Sequence, residues 1–269
     1  NLGCSNRMMI TTMKVTVCEL RNDTDGLEQD WLALTAHVKS AKSDLVLLPE
    51  MPFHPWAAKK DKVDPGIWQR AVAAHDQWIL RLPELSPAIV AGSRPVIQNG
   101  RCRNEAFVWQ SDSGYQPSHV KYYLPDEEGF WEASWYERGM REFNVVRCRE
   151  ITIGFLICTE LWFLEHARSY CRQDIHLLLC PRVTPKRSVK KWIAGGRAAA
   201  VVSGAYCLSS NLSGPNTQAI DFGGAGWVIE PEEGEVMGVT AQKEPFLTVE
   251  IDLEIAERAK HTYPRYVLD

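Results

Sequence analysis

At 269 residues, with 45% hydrophobic and 24% charged residues, the chain is long enough to bury a core without cross-links, and its composition excludes a disordered, collagenous or coiled-coil protein. Lys+Arg 30 against Asp+Glu 34 leaves a formal net charge of −4, which argues against a nucleic-acid or anionic-membrane surface, since such surfaces depend on excess basic charge. No apolar run approaches the ~20 residues that cross a bilayer, so no membrane partner is expected.

Residues 1–12 are polar and lack the charged-then-apolar order of a signal peptide. Met8, Met9 and Met13 each qualify as a start, so 1–12 is expected to be a poorly ordered leader and 13–269 a single domain. Met13–Glu19 alternates as a strand, and Asp25 with Glu28 resembles a capping box ahead of Leu27, Trp31, Leu34 and Val38 at helical spacing. Leu45-Val46-Leu47-Leu48 is a solid apolar run of the kind buried on both faces of a sheet. This β–α–β opening is followed by a helix over Asp64–Arg81 and strands over Ala88–Gly92, Asn104–Gln110 and Ser118–Tyr123. Strands are then expected at Glu142–Cys148 and Ile151–Ile157, a helix at Leu164–Arg172, a strand at Ile175–Cys180 and an Ala-rich helix at Val189–Val202. Four more strands (Ala205–Ser210, Ala225–Glu230, Glu235–Thr240, Pro245–Ile251) and a short helix, Leu253–Lys260, complete an α/β pattern without linker or repeat. The 8 cysteines include no Cys-x-x-Cys pair and several sit in apolar strands, which points to free thiols and a cytoplasmic protein.

Three strands run into a reactive side chain: Leu45–Pro49 into Glu50, Pro117–Val120 into Lys121, and Ile153–Ile157 into Cys158. Chemistry in open α/β sheets gathers beyond the carboxyl ends of strands. The three types are complementary. A thiol with a pKa near 8.5 needs a base or a positive neighbour to act as a nucleophile. A carboxylate can take its proton, and an ammonium can stabilise an oxyanion. Each residue alone also fits a bland role, buried filler for the thiol and solvated charge for the other two.

Leu47-Leu48-Pro49-Glu50-Met51, Lys121-Tyr122-Tyr123-Leu124-Pro125 with Glu132 and Gly139, and Gly154–Phe163 around Cys158 resemble, in order and spacing, the Glu, Lys and Cys motifs of the nitrilase, or carbon–nitrogen hydrolase, superfamily. The resemblance runs from about Met13 to about Ile251. It implies a four-layer α–β–β–α sandwich that assembles as a homodimer or larger homo-oligomer. It also implies an enzyme that cleaves a non-peptide C–N bond of a small amide or N-carbamoyl compound through a Cys thioester, with no cofactor and no metal. A nitrile hydrolase is the first alternative, and an oligomeric scaffold without activity the second. By the resemblance Cys158 is the nucleophile, Glu50 the base, Lys121 the oxyanion stabiliser, the Thr159 N–H a second oxyanion donor, and Glu132 an additional glutamate that orients Lys121. The sequence departs from the family pattern after Cys158, where an aromatic and then an acid are common and Thr159 and then Glu160 stand, the departure being Thr159. It also departs across Gly195–Val201, which lacks an acid common there and has Ala199 and Ala200.

Phe53, Trp131 and Trp162 are candidates for the pocket wall, and Arg182, at the end of Leu177–Pro181, for a clamp on a substrate carboxylate. Lys186, Arg187, Lys190, Lys191 and Trp192 read as a solvated helix start rather than a nucleic-acid site. His119 and His166 are rival partners for Cys158 in a Cys–His peptidase, but Lys121 accounts better for its activation.

Overall fold

The computed structural model describes residues 12–215 and 220–267. The expected leader thus lies outside the described residues except for Thr12, which already opens the first strand. In chain order the elements are β1 (Thr12–Leu20), α1 (Thr24–Ala41), β2 (Leu45–Glu50), α2 (Pro65–Ile79), β3 (Ile89–Gln98), β4 (Arg101–Gln110) and β5 (Gly114–Val120). A small ribbon, β6 (Asp126–Glu127) and β7 (Phe130–Trp131), leads into the single turn α3 (Glu132–Trp135). Then come β8 (Val146–Cys148), β9 (Ile151–Phe155), α4 (Leu164–Cys171), β10 (Leu177–Arg182), α5 (Val189–Ser203) and β11 (Tyr206–Pro215). The remainder is β12 (Asp221–Gly223), β13 (Trp227–Ile229), β14 (Val236–Val239), β15 (Phe246–Asp252) and α6 (Leu253–Ala259).

Local chemistry sets several of these boundaries. Asp23, not Asp25, caps α1: its side chain accepts the Gly26 N–H, and Lys42 in the left-handed region closes the other end. Asp64 caps α2 with Pro65 in the first turn, where a missing N–H costs nothing. The strand expected to stop at Gly92 runs on to Gln98 and turns through Asn99-Gly100, both at positive φ, into β4. That Asn-Gly pair is a two-residue hairpin signal. The strand expected over Ser118–Tyr123 starts earlier and ends at Val120, which leaves Lys121 just past it.

Among the described residues thirteen strands form one hydrogen-bonded sheet. It divides into two halves of like design. In the first, β1, β2 and β3 are parallel, with β15 antiparallel to β1 and β4 and β5 antiparallel beyond β3. In the second, β9, β10 and β11 are parallel, with β8 antiparallel to β9 and β13 and β14 antiparallel beyond β11. The halves meet where β1 and β11 pair in parallel at Glu19↔Asn211 and Leu20↔Leu212. Ser210 fastens this seam: its Oγ accepts the Cys18 N–H at 2.9 Å and donates to the Leu47 carbonyl at 2.6 Å.

Strand alternation sorts side chains between layers. Val15, Val17, Leu45, Leu47, Ile89 and Ala91 join Ile153, Phe155, Leu177 and Leu179 in one buried cluster that includes residues of both halves. Val46, Leu48, Val90 and Phe107 instead pack with Leu27, Trp31, Leu34 and Val38 of α1. On the second half, Gly154 of β9 lets Tyr170 of α4 lie against the sheet, since a Cβ there would fall 2.9 Å from the ring. The layers therefore run α–β–β–α. No helix of the described residues is long and apolar enough to cross a membrane.

Candidate active site

The ends of β2, β5 and β9 converge. Glu50 is the last residue of β2, past an irregularity in its pairing with β3 between Leu47 and Glu50. Lys121 follows β5, its N–H held by the Asn104 carbonyl at 2.9 Å and its carbonyl by the Gly139 N–H at 2.9 Å. Cys158 opens a 3₁₀ turn, Cys158–Trp162, three residues beyond the end of β9. It has φ 49, and Met51, directly after Glu50, has φ 44. The left-handed region is strained for such side chains, and strain of this kind gathers at functional sites.

The side chains of Glu50 and Lys121 are 0% exposed and that of Glu132 is 1% exposed. The Lys121 ammonium lies 2.8 Å from Glu50 Oε1 and 2.6 Å from Glu132 Oε2. Two carboxylates therefore bracket one buried cation. Burial disfavours the ammonium, but Glu132, Glu50 and the Cys158 sulfur outweigh it, so the pKa of Lys121 is raised and the amine stays charged. Burial, with Glu50 adding to it, pushes Glu132 up to about 7 even though Lys121 and the Tyr136 hydroxyl hold it down. The Cys158 thiol is pushed well up by burial and by Glu50, with Lys121 opposing. Both causes favour the neutral thiol, so its ionisation calls for a base. Glu50 Oε1 accepts from Asn104 Nδ2 at 2.8 Å as well as from Lys121, whereas its Oε2 is buried with no hydrogen bond. An oxygen left this way is costly for stability and available for a proton.

Cys158 opens into a cavity of about 140 Å³, shared with Pro125, Glu127, Phe130, Glu132, Thr159, Val183 and Trp192. Liquid water occupies roughly 30 Å³ per molecule, so the space suits a group of a few heavy atoms such as a carboxamide. Arg187, Ser188 and Lys191 also line it. Among the described residues no group of three or more His, Cys, Asp or Glu is placed to hold a metal ion.

Several expected site residues lie elsewhere. Phe53 is packed behind the first half of the sheet, stacked on Trp78 at 5.2 Å and edge-on to Trp31 at 5.8 Å. Trp131 packs on the cluster of Trp56, Trp68 and Trp135, and its neighbour Phe130 lines the cavity. Trp162 is 40% exposed and lies against Gly195 and Trp192, and it is Trp192 that faces the cavity. Arg182 turns into the core rather than out to a substrate. Its guanidinium donates to Ser209 Oγ at 2.6 Å, Thr184 Oγ1 at 2.8 Å and the Ala225 carbonyl at 2.8 Å, and lies 4.0 Å over the Trp227 ring. Of the cluster read as a solvated helix start, Lys186, Arg187, Lys190 and Lys191 are exposed and Trp192 is buried, yet Arg187 and Lys191 line the cavity too.

The rival histidines are engaged away from the thiol. His166 Nε2 is 3.0 Å from the Tyr123 hydroxyl, and His119 Nε2 is 2.8 Å from Glu160. Sequence reasoning missed Asn104 and Tyr136, which hydrogen-bond Glu50 and Glu132. Tyr136 stands four residues after Glu132, a spacing that pairs side chains across one helical turn. Asn104 is a polar residue heading an apolar strand, a weak signal.

A family model described as carbon-nitrogen hydrolase matches residues 14–261. The chain is 26% identical to an N-carbamoylputrescine amidase from Oryza sativa subsp. japonica, over 96% of this chain and 90% of that protein. It is 22% identical to a citrullinase from Francisella tularensis, a match that covers 64% of this chain and 62% of that protein. The crystal structure of a carbon-nitrogen hydrolase from Helicobacter pylori G27 superposes with a TM-score of 0.84 at 20% identity, covering 95% of this chain and 94% of that one.

Proposed function

The chain belongs to the carbon–nitrogen hydrolase family, and on that premise we propose that it hydrolyses a small amide or N-carbamoyl compound through a thioester on Cys158. The observation that carries this reading is the buried Glu50–Lys121–Glu132 array beside a thiol that opens into a small cavity.

The Cys158 proton passes to Glu50 as the sulfur bonds to the carbonyl carbon, and the carbonyl π electrons move onto oxygen. Lys121 and the Thr159 N–H receive that oxyanion, an interaction whose loss typically costs about 100- to 1,000-fold in turnover. Collapse breaks the C–N bond while Glu50 returns the proton to the departing nitrogen. A water molecule then gives a proton to Glu50 and adds to the thioester, and the sulfur leaves with its proton restored. Glu132 keeps the ammonium aimed, because Lys121 bonded to Glu50 alone could swing toward the base.

Both curated relatives carry names of enzymes acting on ureido compounds, which favours the N-carbamoyl class. Water then releases the carbamoyl carbon as carbon dioxide alongside ammonia and an amine. Ammonia and carbon dioxide are to be measured over a panel of amides, N-carbamoyl amines, N-carbamoyl amino acids and nitriles. Ammonia from amides or carbamoyl compounds is expected, with turnover abolished in Cys158→Ala while the circular dichroism stays native. Turnover confined to nitriles would move the reading to that class, and an active Cys158→Ala protein would end the mechanism.

A further inference from the structure

Glu160 stands outside the cavity, yet its one carboxylate connects the segments that carry the site. Oε1 accepts the backbone N–H of Tyr122 at 2.7 Å, the residue after Lys121. Oε2 accepts the backbone N–H of Ile157 at 2.8 Å, the residue before Cys158. His119, two residues before Lys121, places Nε2 3.0 and 2.8 Å from the two oxygens. The His119 and Glu160 side chains are 1% and 0% exposed. Burying a carboxylate this fully is expensive unless donors surround it, and two of the donors here are main-chain amides 35 residues apart in sequence, on opposite halves of the sheet.

The same side chain closes the turn that holds Cys158. The Glu160 N–H bonds to the Ile157 carbonyl at 3.1 Å while its carboxylate takes the Ile157 N–H, so the left-handed Cys158 is pinned from both sides. Strained backbone of this kind persists only where the surroundings over-determine it. We propose that Glu160 is a positioning residue: through one hydrogen bond to each segment, it sets the separation of the Lys121 ammonium from the Cys158 sulfur. The inference rests on Cys158 being the nucleophile and Lys121 its electrostatic partner.

Glu160→Gln keeps the shape but presents an NH₂ to one of the two amides, so one segment is released. Glu160→Asp keeps the charge but is a methylene too short to reach both. The test measures alkylation of each cysteine by iodoacetamide against pH, by peptide mass spectrometry, together with kcat and KM on the best substrate of the panel. In both variants Cys158 alkylation is expected to shift about one pH unit upward, because the ammonium no longer stands as close to the thiolate. Turnover is expected to fall about 100-fold, on the scale of a lost oxyanion donor, with KM within about threefold of wild type. A general loss of packing would raise the reactivity of Cys18, Cys180 and Cys207 as well. That pattern in both variants overturns the proposal, as does a folded variant with the wild-type profile and kcat. Wild-type Cys158 that alkylates no faster than the other thiols overturns the nucleophile reading and this inference with it. Selective labelling in the wild type, matched by both variants, overturns the positioning role alone.

Discussion

Two arginines five residues apart show what a side chain's direction does to its role. Arg182 ends an apolar strand and looks from the sequence like a clamp reaching for a substrate. It points back into the core, where three polar groups and the Trp227 face surround its guanidinium. Strand alternation says which face a residue takes, but not whether the loop beyond leaves that face open or covered. Arg187, by contrast, reads as ordinary surface charge and lines the cavity with Lys191. The two are separable by experiment. Arg187→Ala is expected to raise KM about tenfold for carboxylate-bearing substrates with little change in kcat or for neutral ones, about the value of one exposed charged hydrogen bond. Arg182→Met is expected to lower unfolding stability by about 3 kcal/mol in urea titration, because Ser209, Thr184 and the Ala225 carbonyl lose a buried partner. Equal effects of the two changes on KM would refute the division.

At the level of elements, the three strand ends that carry Glu50, Lys121 and Cys158 are legible in the sequence. Those ahead of Glu50 and Cys158 are short buried apolar runs, and the pattern that buries the strand also points to the residue beyond it. By contrast, β5 ahead of Lys121 is mostly polar and only partly buried, so its end is marked by the turn residues before it rather than by an apolar run. The stretch after Lys121 is less legible. The ribbon, the single turn α3 and Gly139 are too short for any periodicity to register. Gly139 nevertheless fixes the exit of β5, because a Cβ there would lie 2.5 Å from the Val120 carbonyl oxygen. Gly139→Ala must displace the Val120–Lys121 backbone. Loss of at least tenfold in kcat is expected, since misplacement of about 1 Å in such a site costs up to about 100-fold. Steady-state kinetics beside a melting curve would check it, and a Gly139→Ala protein with normal kcat would show that the strand exit is not so constrained.

For the molecule as a whole, the layered α/β class comes from the alternation of strands and helices, and the resemblance in three motifs supplies the four layers. Nothing in the periodicity of Val15–Val17 or Leu177–Leu179 says that these runs face each other across an interior, because each would be equally content under a helix. That facing places residues of both halves in one buried cluster. Urea is therefore expected to remove ammonia release, tryptophan fluorescence and far-ultraviolet dichroism along coincident curves. Dichroism that outlasts activity by a clear margin would mean that the halves unfold separately.

The Ser210 hydroxyl of β11 bridges the Cys18 N–H and the carbonyl of Leu47, which stands three positions before Glu50 along β2. The acid and the amine ride on one leaf of the sandwich and the sulfur on the other, so the spacing between the leaves is also the focal length of the reaction. A lesion at this hinge would defocus the catalyst while every reacting group kept its own chemistry, and a map of inactivating substitutions would trace the spine of the molecule as well as the mouth of its cavity.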